Sequence, residues 1–199
     1  YDVDIAVAEG QPLGTPLQYG GPLLGIFTCR NEYVRKMPGR LIGKTKDRKG
    51  KDCFALNLQA REQHIRRDKA TSNICTNQGL LALRTTVFLA TVGPRGLRQM
   101  ATLSHQKARY AAELLTKIPG VSLRFHQPFF REFLIQTPKP TAEVLAALAA
   151  KGFNVGPDLA RFEMQNVHGW QNCFLVALTE KRTREEIEAL AMALRAVLQ

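Results

Sequence analysis

Cysteine, tryptophan and long apolar runs are scarce in this sequence. Its four cysteines, at positions 29, 53, 75 and 173, show no CxxC or zinc-ligand spacing, so we predict reduced thiols and neither a disulfide framework nor a metal site. A bilayer-spanning helix needs about 18 consecutive apolar residues. The most apolar stretch, residues 80–92, contains Arg84 and ends at Gly93 and Pro94. We therefore expect no membrane partner.

Acidic residues are also under-represented. There are 17 Asp and Glu against 28 Lys and Arg, which gives a net charge of +11. A field of this sign attracts nucleic acids, anionic lipids or acidic proteins, and it concerns association rather than fold. Nucleic-acid-binding surfaces usually place exposed aromatic side chains among the cations. Most aromatic residues here lie in apolar runs, so a basic nucleic-acid-binding α+β module is the lower-ranked alternative.

The first half of the chain reads as strands followed by a helix. Residues 5–8 and 23–29 are predicted strands, separated by a loop rich in glycine and proline. Residues 44–51 hold five cations and one acid, which predicts an exposed hairpin or mobile loop. Thr71 or Ser72 is the predicted N-cap of a helix whose body covers residues 74–91 and is apolar on most faces. We expect this helix to be buried on several sides.

The second half indicates a separate small domain. A long helix follows Gly93 and Pro94 and ends by Gly120. The elements predicted after it are strands near residues 121–125, 133–136 and 174–178, a helix over 141–151, and a final helix that begins with a capping box of Thr183 and Glu186. They predict a two-layer α+β domain with helices on one side of a mainly antiparallel sheet. The chain starts at Tyr1 without a methionine, so we expect a fragment of a longer polypeptide.

The densest polar cluster, residues 61–73, leads directly into the predicted helix that begins at Thr71 or Ser72. It has two interpretations. One is a solvated basic segment that ends in a hydroxyl N-cap. The other is an anion site, because the N–H groups and the positive dipole end of a helix start favour a phosphate or carboxylate. The four histidines are scattered, with no HxxxH or HExxH spacing, so no metal is predicted.

Four segments together closely resemble one known family. They are residues 9–14 (EGQPLG), 19–22 (YGGP), 35–43 (RKMPGRLIG) and 61–78 (REQHIRRDKATSNICTNQ). They are similar to the pyridoxal-phosphate protein of the glycine cleavage system, glycine dehydrogenase (decarboxylating). The similarity is to the N-terminal half of that family, which in many bacteria is a separate subunit 1, and it covers essentially the whole chain.

The resemblance implies the α/β fold of the fold-type I pyridoxal-phosphate-dependent transferases. Residues 1–110 would form the C-terminal part of the large domain with its connector helix, and residues 111–199 the small C-terminal α+β domain. The first part of the large domain would be missing, and with it the aspartate that pairs with the pyridine nitrogen of the cofactor. We therefore expect this fragment to hold no cofactor alone.

The catalytic half of the family carries a His-Lys pair in a loop that precedes a glycine run, and this lysine forms the Schiff base with the cofactor. Sliding that pattern onto the chain places Gly10 and Gln11 at the His-Lys pair and residues 18–22 over the glycine run. An amide is not a nucleophilic amine. The resemblance therefore implies that Gln11 occupies the position of the Schiff-base lysine and that this chain supplies no catalytic residue.

What remains is a supporting role. In many enzymes similar to this fold, a hydroxyl side chain reaches the cofactor phosphate of the partner subunit. We assign this contact to Thr71, with Ser72 and Asn73 beside it, and we expect His64 and Arg66 to face the active site. Pyridoxal phosphate would be bound covalently by the partner subunit.

The resemblance also implies a reaction and its partners. The assembled enzyme decarboxylates glycine and passes the aminomethyl group to the lipoyl group of the acidic H protein. The expected partners are a lysine-bearing subunit 2, in an α2β2 assembly, and the H protein, in the bacterial cytoplasm. The basic residues 44–51 either steer the H protein or form a merely solvated loop.

Overall fold

The computed structural model describes residues 2–37, 41–57, 67–69, 78–162, 170 and 172–199. The chain divides into two compact units, Tyr1–Gly93 and Pro94–Gln199. The expected boundary between a large and a small domain near residue 110 concerns the intact enzyme and stays a prediction.

Two antiparallel strand pairs lie in the first unit. The strands are β1 (Ile5–Glu9), β2 (Gly25–Cys29), β3 (Leu41–Lys46) and β4 (Asp52–Asn57), paired as β1–β2 and β3–β4. Both faces of the β1–β2 pair are apolar, because Val7 opposes Phe27 on one face and Ala8 opposes Ile26 on the other. The basic residues 44–51 form the closed end of the β3–β4 hairpin.

The long helix α1 (Gly79–Leu115) is interrupted at Gly93, whose φ of 62° and ψ of 178° are not helical. The break falls at the predicted place, because glycine adopts positive φ readily and proline is tolerated in the first turn of a helix. Helix α1 begins at Gly79, after the non-helical Gln78, so the predicted continuous helix body from residue 74 is wrong at its start; the predicted N-cap at Thr71 or Ser72 lies outside the described residues.

The apolar side chains of α1 ahead of Gly93 are not buried as the sequence predicts. Leu80 is 81% exposed, Leu83 59% and Val87 58%. The prediction of burial on several sides is therefore wrong for the described chain. Apolar periodicity identifies side chains that gain free energy from burial, but the described residues of the first unit do not supply a surface that covers them.

A three-stranded antiparallel sheet forms one layer of the second unit. Its strands are β5 (Ser122–Leu123), β6 (Glu132–Gln136) and β7 (Cys173–Ala177), in the order β5–β6–β7. The register places Phe133 opposite Val176 and Ile135 opposite Phe174. Since side chains alternate between the two faces of a strand, these four lie on the same face of the sheet.

Helices α2 (Thr141–Ala150) and α3 (Arg184–Leu198) form the second layer, together with the part of α1 that follows Gly93. Their buried side chains and the apolar face of the sheet make one continuous core. The fully or almost fully buried members are Ala108, Ala111, Leu115, Ile135, Val144, Leu148, Phe174 and Leu194. The predicted small two-layer α+β domain is confirmed.

Local signals define the ends of the last two helices. Thr183 accepts a hydrogen bond from the Glu186 N–H, and the Glu186 carboxylate accepts one from the Thr183 N–H, so the predicted capping box is formed. After α2, Gly152 adopts a φ of 85°, a conformation that favours glycine at a helix C-terminus.

In the described part of the chain, no helix has the length and apolarity that a bilayer crossing requires. No metal-binding group of His, Cys, Asp and Glu occurs among those residues either.

Candidate functional site

The loop after β1 is closed by a single carboxylate. Oε1 of Glu9 accepts hydrogen bonds from the Gln11 N–H at 2.8 Å and from the Leu24 N–H at 2.7 Å. The Gly10 N–H donates to the Leu24 carbonyl at 2.6 Å. Glu9 therefore ties the start of the loop to its end, and charge-assisted bonds of this kind are stronger than neutral ones.

The side chain of Gln11 belongs to the internal hydrogen bonding of this loop. Its Nε2 donates to the Thr15 carbonyl at 3.0 Å, and Thr15 is buried. The amide thus closes the turn formed by residues 11–15. A carboxamide placed in this way is a structural group, and it offers no amine for covalent chemistry.

The same loop is seated on the first part of α1. Thr85 Oγ1 donates to the Leu13 carbonyl at 2.9 Å. Gly14 has a φ of +93°, and a Cβ at this position would lie 2.7 Å from the Cβ of Phe88. Both the backbone conformation and the close approach require glycine here. The contacts of Leu13 and Gly14 with α1 therefore hold the loop against the helix.

The far end of the loop is exposed. Leu17 is 89% exposed, and Tyr19 is fully exposed with a φ of 53°, in a region that non-glycine residues seldom adopt. Gly20 follows with a φ of 94°. The sequence resemblance places residues 18–22 over the glycine run of the family, and the structure shows them as a turn at the surface of the first unit.

The β3–β4 hairpin carries the most concentrated positive charge that the structure describes. Oδ1 of Asp47 accepts the N–H groups of Lys49 at 2.8 Å and Lys51 at 2.9 Å, which shapes the turn. Lys44 Nζ lies 2.8 Å from Asp52 Oδ2. The predicted exposed hairpin is thus observed, and both of its acidic residues are engaged within it.

A groove of about 420 Å³ lies on the second unit, between α1 and residues 126–129. Its polar lining includes His105, Arg109, Glu113 and His126. His105 Nδ1 lies 3.0 Å from the Phe130 carbonyl oxygen, so Nδ1 carries the proton and donates it. Sequence alone does not single out this groove. His105, Arg109 and Glu113 follow a helical i, i+4, i+8 spacing that indicates a shared face, but His126 joins them only through tertiary structure.

A polar cluster joins α1 to α3 beside the core. The Tyr110 hydroxyl donates to Glu188 Oε1 at 2.6 Å, and Arg184 Nε donates to the same oxygen at 2.7 Å. The hydrogen bond to Glu188 raises the pKa of the Tyr110 phenol above its ordinary value. The bonds from Tyr110 and Arg184 lower the pKa of the Glu188 carboxyl. Glu188 therefore stays ionised, and the cluster links α1 to α3 and is not an acid–base pair.

Comparisons with known proteins assign the family. The family model for the glycine cleavage system P-protein matches residues 1–194. The chain belongs to the glycine cleavage system P-protein family.

Similar proteins agree with this assignment. A protein of Chlorobium limicola named probable glycine dehydrogenase (decarboxylating) subunit 1 is 53% identical over 99% of this chain and 43% of its own length. A crystal structure of the P-protein glycine decarboxylase in inhibitor-bound form matches with a TM-score of 0.85 and 43% identity, covering 98% of this chain and 43% of that one. The chain thus spans less than half the length of these relatives.

More distant structures show the fold alone. A sphingosine-1-phosphate lyase of Burkholderia pseudomallei matches with a TM-score of 0.62 at 15% identity, over 98% of this chain and 37% of that one. The expected fold of the P-protein family, that of fold-type I pyridoxal-phosphate enzymes, is therefore confirmed. These relatives give no support to the nucleic-acid-binding alternative.

Of the site residues predicted for this P-protein chain, the structure describes one. Gln11 is held to Thr15 in the loop after β1. The remaining five lie outside the described residues: Thr71, Ser72, Asn73, His64 and Arg66. The assignments of these residues, and of Gln11 as the counterpart of the Schiff-base lysine, stay predictions.

We place the counterpart of the Schiff-base loop at residues 9–22, and these residues offer no amine that could hold pyridoxal phosphate covalently. Residues 9–22 contain no lysine, and the one nitrogen-bearing side chain at the relevant position is an amide engaged with a backbone carbonyl. We therefore derive no chemical step on the cofactor from this chain.

Proposed function

We propose that this chain is part of the supporting subunit of glycine dehydrogenase (decarboxylating). In this role it shapes the pocket of a lysine-bearing partner and makes no covalent bond to the cofactor. The observation that carries the proposal is the Gln11 amide, bonded to Thr15 in a loop that Glu9 closes and α1 supports. The loop keeps a fixed shape and lacks the nucleophile.

In the proposed reaction, glycine loses carbon dioxide, and its aminomethyl group passes to the lipoyl group of the H protein, whose disulfide is reduced. Pyridoxal phosphate, when bound in the assembled enzyme, supplies the electron sink. This chain orients groups and excludes water around a site that the partner subunit completes. We place the α2β2 assembly in the cytoplasm of a bacterium, in line with the bacterial source of the relative above.

The function is tested by separating the two subunits. The full-length chain alone and the lysine-bearing subunit alone should each show no glycine decarboxylation with H protein, and the mixture should be active. The measurement is the release of carbon dioxide from labelled glycine. Copurification of the two subunits is the control that they assemble. Activity of the full-length chain by itself, with pyridoxal phosphate added, would contradict the proposal.

Thr71 is the residue proposed to contact the phosphate of the partner's pyridoxal phosphate, with Ser72 and Asn73 next to it. Hydroxyl and backbone N–H groups donate hydrogen bonds to an anion. His64 and Arg66, in the same basic segment, are proposed to face this site. The support is the family assignment together with the residue types in this segment.

Replacing Thr71 with alanine should weaken pyridoxal phosphate binding by the assembled enzyme about tenfold or more, because a hydrogen bond to a charged group contributes about 1.5–3 kcal/mol. The dissociation constant is measured by cofactor titration of the heterotetramer. Thr86→Ala is the matched control, since the Thr86 hydroxyl donates to the Ala82 carbonyl on an exposed part of α1. Equal affinities of Thr71→Ala and the unsubstituted enzyme would remove this contact.

A further inference from the structure

We draw no further inference here: the strongest candidate, the groove between α1 and residues 126–129 of the second unit, is lined by side chains such as Arg109 and His126 that are exposed in a chain spanning less than half the length of its relatives, and nothing in the structure shows what covers it.

Discussion

Borohydride reduction of the assembled enzyme, loaded with pyridoxal phosphate, should fix the pyridoxyl group to the lysine-bearing partner and leave this chain unlabelled. The residue that we place at the position of the Schiff-base lysine is Gln11, whose amide cannot condense with an aldehyde. Its Nε2 is already bonded to the Thr15 carbonyl. The effect is all or none, and mass spectrometry of the separated subunits measures it.

The partner subunit in the same sample serves as the positive control for trapping. The cofactor is supplied at one equivalent per partner subunit, which limits chance reaction with surface lysines. A pyridoxyl group on a lysine of this chain, at a stoichiometry comparable with that of the partner, would refute the supporting role. It would identify this chain as a catalytic subunit.

Replacing Phe174 with alanine should destabilise the second unit by about 3–5 kcal/mol, the usual cost of removing a fully buried aromatic side chain. Phe174 is 1% exposed and lies opposite Ile135 in the sheet that packs on the helices. The loss combines the apolar transfer free energy with that of the cavity left behind. Urea denaturation followed by the fluorescence of Trp170, the single tryptophan of the sequence, measures it.

Phe130→Ala is the matched control for Phe174. Phe130 is 54% exposed, so its removal should cost less than about 1 kcal/mol. If the two variants unfold at the same urea concentration, the core described for the second unit does not determine its stability.

The secondary structure of the second unit could be predicted because its signals are local. The capping box of Thr183 and Glu186 and the positive-φ Gly152 act within a few residues of the helix ends that they define. The core is also formed by elements of the same unit, so apolar periodicity and burial agree there. Leu148 of α2 and Leu194 of α3 are both buried.

In the first unit, local sequence signals do not predict which side chains are buried. Periodicity identified the apolar residues of α1 but not their exposure, because burial depends on which surface packs against them. The break at Gly93 could be predicted from residue type. The contacts that hold the loop after β1 could not. Local sequence does not indicate the hydrogen bond from Thr85 to Leu13 or the contact of Gly14 with Phe88, since each joins residues far apart in the chain.

The packing of Gly14 against Phe88 has an evolutionary consequence. The loop that holds Gln11 has no nucleophile, and yet a mutation at residue 14 would collide with the helix beneath it. Selection for folding alone is then enough to preserve a glycine at residue 14. The need to fold can therefore hold this position constant without any demand from catalysis.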